Sequence, residues 1–208
     1  MPNKVILVGY SGHGYVAAEI LKSAGFLLAG YLEKEKKDEN PFGLEYLGYE
    51  EDDETLSGLK GKNAFVSIGD NKIRENVCER LFGSDLALIN AISPNARIPE
   101  LAELNGHNIM VGAQAVVNPL ATIEKGVILN TGCIVEHECT VQAFAHLAPG
   151  AVLGGNVQIG AYSLIGANSV IREGTRVGSE SVVGAGSVVL NDIPAGETWA
   201  GNPARKLR

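Results

Sequence analysis

The sequence predicts two architectures in tandem: an α/β domain with a parallel sheet over residues 1–91, then an all-β parallel helix over residues 92–208. Two patterns and one compositional bias carry this expectation. The first stretch alternates aliphatic runs with helix-like segments, and the second returns an aliphatic residue at every sixth position. Glycine contributes 26 of 208 residues, well above the usual ~7%, and both architectures need it for their turns.

Val5-Ile6-Leu7-Val8 is a continuous aliphatic run ending at Gly9, as expected of a strand buried on both faces of a parallel sheet. Gly9–Gly14 reads as a turn. Tyr15–Ala24 reads as a helix that places Val16, Ile20 and Leu21 on one side and stops at Gly25. Leu27–Glu33 and Asn63–Ile68 are the second and third strands, Asn71–Phe82 a further helix and Leu86–Asn90 the last strand. This β-α-β alternation predicts a small Rossmann-like domain. The charge runs Glu33–Asn40 and Glu50–Glu54 read as solvated loops.

The second stretch obeys a different period. Stepping by six from Val111 to Val189 finds Val, Ile or Leu in fourteen of fourteen slots, although these residues fill 55 of 208 positions. Two places before each slot after the first stands a small or medium residue, such as Ala115, Cys133, Ala151, Ser169 or Ser187, and Gly often follows the slot. A six-residue period is the signature of a hexapeptide β-helix, with one repeat per flat face. The aliphatic points inward, the small residue fills the interior corner, and three faces make a coil, so residues 18 apart stack. Ile92 and Ile98 start the rhythm, which slips by one across Pro99–Asn108.

Composition excludes several functions. Lys and Arg number 17 against 24 Asp and Glu, giving a net charge of −7, which argues against nucleic acid as a partner because such binding rests on neutralising phosphates. No apolar run approaches the ~18–20 residues of a membrane span, and Val5–Val8 is too short for a signal-peptide core. Cys78, Cys133 and Cys139 form no CxxC or zinc spacing and fit a reducing, cytoplasmic setting. Cys133 and Cys139 fall in interior slots and read as core.

The repeat resembles the left-handed β-helix acyltransferases, including the tail Ala200-Gly201-Asn202-Pro203-Ala204-Arg205-Lys206. The left hand is implied by that resemblance alone. Tyr10-Ser11-Gly12-His13-Gly14, Ile68-Gly69-Asp70-Asn71-Lys72-Ile73-Arg74, Ile128-Leu129-Asn130-Thr131 and Val135-Glu136-His137-Glu138-Cys139 extend it over nearly the whole chain. Together they resemble bacterial nucleotide-sugar N-acetyltransferases of bacillosamine-type pathways and their sialic-acid O-acetyltransferase-like relatives. The resemblance implies a homotrimer with sites between subunits. It further implies acetyl transfer from acetyl-CoA to the 4-amino group of a UDP-linked 4-amino-4,6-dideoxy sugar, with no metal.

His137 falls two places after Val135, at a turn, so its ring points outward. A protonated ammonium cannot attack a thioester, so the reaction needs a base near the amine, and imidazole suits that task. The resemblance makes His137 the general base and Glu138 its partner, with Glu136 on its other flank. It places His146, read as a further corner residue, against acetyl-CoA. Gly155, 18 residues after His137, stacks on the same corner, where its N–H could face the thioester oxygen. Ala167 and Ala185 match further backbone contacts to the coenzyme. On the acceptor side, Gly9–Gly14 between strand and helix suits a diphosphate, with Ser11, Gly12 and His13 contributing. Glu33 ends the second strand, where an acid often meets the nucleotide. The family often shows two acids there, whereas this sequence has Glu33-Lys34. Gly69 is expected to flank the uracil, and Asn130 matches an Asn near the sugar.

Three other readings stand beside this one. A sugar O-acetyltransferase would share the fold, and a non-catalytic nucleotide-sugar sensor would bind without turnover. A hexapeptide carbonic anhydrase would need three histidines as metal ligands, for which only His107, His137 and His146 are available in the repeat half.

Overall fold

A computed structural model describes residues 4–208, which divide into two compact units, the first ending at Pro94 and the second spanning Asn95–Arg208. In the first unit, β1 (Lys4–Val8), β2 (Leu27–Leu32), β3 (Asn63–Val66) and β4 (Ala87–Leu88) form one parallel sheet in the order β2-β1-β3-β4. Val5, Ile6, Leu7 and Val8 are all at most 1% exposed, as a strand covered on both faces requires. The strand order reverses at β1, which opens a crevice at the carboxyl ends of β1, β2 and β3.

Helix α1 (Gly12–Ser23) starts three residues sooner than the turn reading of Gly9–Gly14 allows. The reason lies in the glycines. A Cβ at Gly14 would stand 2.5 Å from the Gly9 carbonyl oxygen, so only glycine lets the first helical turn fold against the end of β1. Gly9 has φ +89°, a left-handed conformation that glycine adopts freely. Part of the second charge run also folds. Asp52 accepts hydrogen bonds from the N–H groups of Glu54 and Thr55 and caps the short helix α2 (Asp53–Ser57), because a carboxylate at the N-cap satisfies otherwise orphaned donors. Helix α3 (Asn71–Gly83) is capped in the same way by Asp70.

The second unit is a parallel β-helix. Its strands are mostly two residues long and stack 18 residues apart, as in Ile128↔His146↔Leu164, Ile134↔Val152↔Val170 and Thr140↔Gln158↔Arg176, one ladder for each face. All fourteen slots from Val111 to Val189 are buried, each at most 2% exposed. The small interior residues are buried too, and several of their hydroxyls are satisfied locally: Ser163 Oγ donates to the Gly178 carbonyl at 2.7 Å and Ser169 Oγ to that of Gly166 at 2.6 Å, whereas Thr175 Oγ1 has no partner among the described residues. The frame slip is a single extra residue. Leu104 pairs with Ile123, 19 residues on, and the turn Gly106–Asn108, with both ends at positive φ, absorbs the excess. At the far end Thr198–Gly201 continues one face and Ala204–Lys206 folds back antiparallel across it, covering an edge that would otherwise invite pairing.

Candidate active site

The crevice of the first unit holds a cavity of about 280 Å³. Its lining brings together four residues singled out in the sequence, Ser11, Glu33, Lys34 and Gly69, with Gly9 and Ser67 between them. Gly9 follows β1, Glu33 follows β2, and Ser67 and Gly69 follow β3, so three adjacent strand ends deliver the site.

Its frame is built from hydrogen bonds. The Tyr10 N–H donates to Glu33 Oε2 at 3.0 Å, tying the glycine-rich segment to the end of β2, and Lys37 Nζ lies 3.6 Å from the same oxygen. Ser67 Oγ donates to the Gly9 carbonyl at 2.6 Å. Arg74, fully buried, donates through Nη1 to the carbonyls of Ile68 and Gly69 and through Nη2 to Asn71 Oδ1. These clamps explain why the run from Gly69 to Arg74 acts as a unit: Asp70 starts the helix and Arg74 reaches back over the turn. Ser67 and Arg74 were not singled out as functional in the sequence; the signal for Arg74 was its spacing of three from Asn71, one helical turn.

Around the N-terminus of α1 the glycines divide into two kinds. Gly9 and Gly14 are required by the fold. Gly12 and Gly69 are not: neither has positive φ, and a Cβ at either would meet nothing within 4 Å among the described residues. Open space beside a backbone is what close approach by a ligand requires. Ser11, the N-cap, makes no side-chain capping bond among the described residues and the first turn holds no acid, so the helix offsets its positive end with no carboxylate of its own first turn. His13 is mostly buried, and burial, with Arg74 adding repulsion, pushes its imidazole down to about 4, so it is neutral at physiological pH.

In the second unit His137 sits on a corner with its side chain 59% exposed, as its spacing predicted. Nδ1 lies 3.0 Å from Glu138 Oε2. Glu138 reaches that position from a backbone with φ +61°, the left-handed corner conformation. The ring rests on Gly155 in the next coil, where a Cβ would come within 2.6 Å of Cε1 and 2.7 Å of Nε2. With Nδ1–H donating to the carboxylate, Nε2 carries the lone pair.

His146 departs from its corner reading. It opens the strand His146–Leu147, at the outward position, because Leu147 takes the inward slot and alternation fixes its neighbour. Asn130, on the corner one coil earlier, donates from Nδ2 to His146 Nε2 at 3.3 Å and accepts the Thr131 N–H at 2.8 Å. Asn130 thus holds the His146 ring, with the ring proton on Nδ1. Ala167 and Ala185 stack 18 apart on the same corner column as Thr131, whereas His137 and Gly155 belong to the next corner, so the two groups flank one face. Cys133 and Cys139 are buried, with burial pushing their thiols up to about 12 and about 11, which makes them inert as nucleophiles. Among the described residues no group of three or more His, Cys, Asp or Glu could hold a metal ion, and no helix is long and apolar enough to cross a membrane.

Comparison with known proteins agrees with both units. Residues 4–81 match the PglD N-terminal domain family, and residues 156–191 match the bacterial transferase hexapeptide family. The chain is similar to the acetyltransferase domain of PglB from Neisseria gonorrhoeae FA1090 in complex with acetyl coenzyme A. The two share 34% identity over 100% of both chains, with a TM-score of 0.92. It is also similar to a variant of GDP-perosamine N-acetyltransferase from Caulobacter crescentus in complex with CoA and GDP-perosamine, at 30% identity over 99% of this chain and 97% of that one, with a TM-score of 0.93. WeeI from Acinetobacter baumannii AYE shares the fold, at 24% identity and a TM-score of 0.86. Fold and site therefore define a hexapeptide-repeat acetyltransferase, in which a left-handed β-helix follows a Rossmann-like domain along the chain. The chain belongs to the sugar N-acetyltransferase family of that superfamily represented by PglB and the perosamine enzyme.

Proposed function

We propose that the protein transfers acetyl from acetyl-CoA to the 4-amino group of a nucleotide-linked 4-amino-4,6-dideoxy sugar, with His137 as general base. The His137–Glu138 pair carries this reading: an exposed imidazole, oriented by a carboxylate at 3.0 Å, on a corner floored by glycine. The amine nitrogen attacks the thioester carbon while Nε2 accepts its proton. The oxyanion that develops is met by a backbone N–H, for which Gly155 is the candidate. Collapse breaks the C–S bond, and the departing thiolate takes the proton, leaving the N-acetyl sugar and CoA. His146, Ala167 and Ala185 contribute to coenzyme binding in this reading, supported by the contacts that fix the His146 ring.

The first unit takes the nucleotide. Open space at Gly12 and Gly69 and the uncapped end of α1 suit a diphosphate, and Glu33 and Lys34 line the cavity where the ribose would follow. The resemblance supplies UDP as the nucleotide.

The active assembly is a homotrimer. Its support is an outward ladder of Val116, Ile134, Val152, Val170 and Val188 along one face, with Val170 41% exposed. A stripe of five aliphatics gains from being covered, and an open corner such as His137 gains a wall from a second copy. A thiol-release assay with acetyl-CoA against a panel of nucleotide 4-amino sugars and their 4-hydroxy counterparts tests the activity: amine acceptors alone should turn over. Sedimentation tests the assembly, and a fully active monomer would overturn it.

A further inference from the structure

Glu50 is the most anomalous polar residue of the first unit. It lines the same cavity as Glu33 and Gly69, it is 8% exposed, and its Oε2 is buried with no hydrogen-bond partner among the described residues. Glu33 presents the opposite case, since the N–H groups of Tyr10 and Lys34 and the ammonium of Lys37 already occupy its carboxylate.

The Arg80 guanidinium makes no hydrogen bond to Glu50 Oε2. Arg80 donates through Nε to the Glu50 carbonyl at 2.7 Å, and through Nη2 to the Glu51 carbonyl and to Asp53 Oδ1. The guanidinium clamps the backbone and leaves the carboxyl oxygen open. Burial pushes this carboxyl up; its own backbone N–H opposes that, Glu33 and Glu51 add to it, and Arg80 offsets part of it. A buried acceptor left without a donor is costly, and more so when charged. The fold holds Glu50 in this state by a dedicated clamp, at the edge of a cavity large enough for part of a nucleotide.

Resting on the nucleotide-sugar reading of this cavity, we propose that Glu50 reads the base, accepting the adjacent N1–H and N2–H donors of a guanine, so that the acceptor is GDP-linked. The diphosphate belongs at the positive end of α1 and is repelled by a carboxylate, and the sugar's 4-amino group is the one presented to His137, so the base is the remaining source of N–H donors. Guanine offers two neighbouring donors that match two carboxylate oxygens. Uracil offers one, N3–H, between two carbonyls that a carboxylate repels. Glu50 therefore argues against the UDP implied by resemblance.

The test is calorimetric binding of GDP, IDP and UDP to the full chain and to Glu50→Gln. Wild type should prefer GDP over UDP, and over IDP, which lacks the N2 amino group, by about 5- to 100-fold each. Glu50→Gln should remove most of that preference by weakening GDP alone, with a melting temperature no lower than the parent's. Wild-type binding of UDP at least as tight as GDP, equal binding of IDP and GDP, or equal losses for all three in the variant would overturn the assignment while leaving a nucleotide site in place. Failure of all three to bind, with acetyl-CoA still bound, would overturn the nucleotide reading as well. The wild-type GDP, IDP and UDP comparison decides the matter even if the variant does not fold.

Discussion

His137 and Gly155 form a stacked pair: the imidazole of one coil lies on the bare backbone of the next, so closely that a single methyl group would stand 2.6 Å from the ring. Exact 18-residue stacking produces this contact, and no local motif around His137 encodes it. Gly155→Ala should therefore displace the base without disturbing the coil, whose interior slots it does not touch. Turnover should fall at least about tenfold, the scale of a misplaced catalytic group, with the melting temperature close to wild type. Steady-state kinetics beside a thermal melt reads both.

Removing the base itself should cost more. His137→Ala should lower kcat by about 10²–10⁴ and leave the KM for acetyl-CoA nearly unchanged. Glu138→Ala should cost less, since that carboxylate orients the ring and takes no proton from the substrate. Thiol release with both substrates saturating measures kcat directly, and near-wild-type turnover by His137→Ala would remove it from the mechanism.

The glycines around α1 give opposed expectations. Gly12→Leu should raise the KM for the nucleotide sugar and leave the KM for acetyl-CoA and the stability nearly unchanged, because a side chain there meets only open space among the described residues. Gly14→Ala should destabilise the protein by about 1–3 kcal/mol, the usual cost of overpacking, because its Cβ would stand 2.5 Å from the Gly9 carbonyl oxygen. Denaturant melts of both variants, with each substrate varied in turn, separate the two effects. Equal damage to both KM values in Gly12→Leu would remove the acceptor from this end of the molecule.

The sequence was most legible where one residue type had one place to go. Only an inward aliphatic suits each hexapeptide slot, so Val111 to Val189 could be read off by counting, and the outward ring of His137 followed. His146 reads as a corner residue from its distance to His137, yet it stands one place before the Leu147 slot, where alternation makes it the outward residue of a strand. The start of α1 is hidden because Gly12–Gly14 looks like a turn until the contact of Gly14 with Gly9 is known. Glu50 was hidden inside a charge run. Whether such a residue is solvated or buried depends on Arg80, thirty residues away, and no local pattern reports that.

His13 supplies a pH dependence with a definite sign. Its imidazole takes a proton near 6.5 in the unfolded chain but is pushed down to about 4 in the fold by burial and then by Arg74. Between those values the unfolded chain binds more protons than the folded one, so stability rises with pH across the window. The stabilisation is fully present above about 6.5 and is lost progressively as pH falls towards about 4, by up to a few kcal/mol at 1.36 kcal/mol per pKa unit. Glu50 acts in the opposite sense, since its raised carboxyl binds a proton more readily in the fold, so the informative quantity is a difference between proteins. His13→Asn removes the titrating ring. Its stability relative to wild type should therefore improve steadily as pH falls from 7 to 4.5, measured as urea midpoints at several pH values. Parallel pH profiles for the two proteins would mean that His13 is not buried in its neutral form.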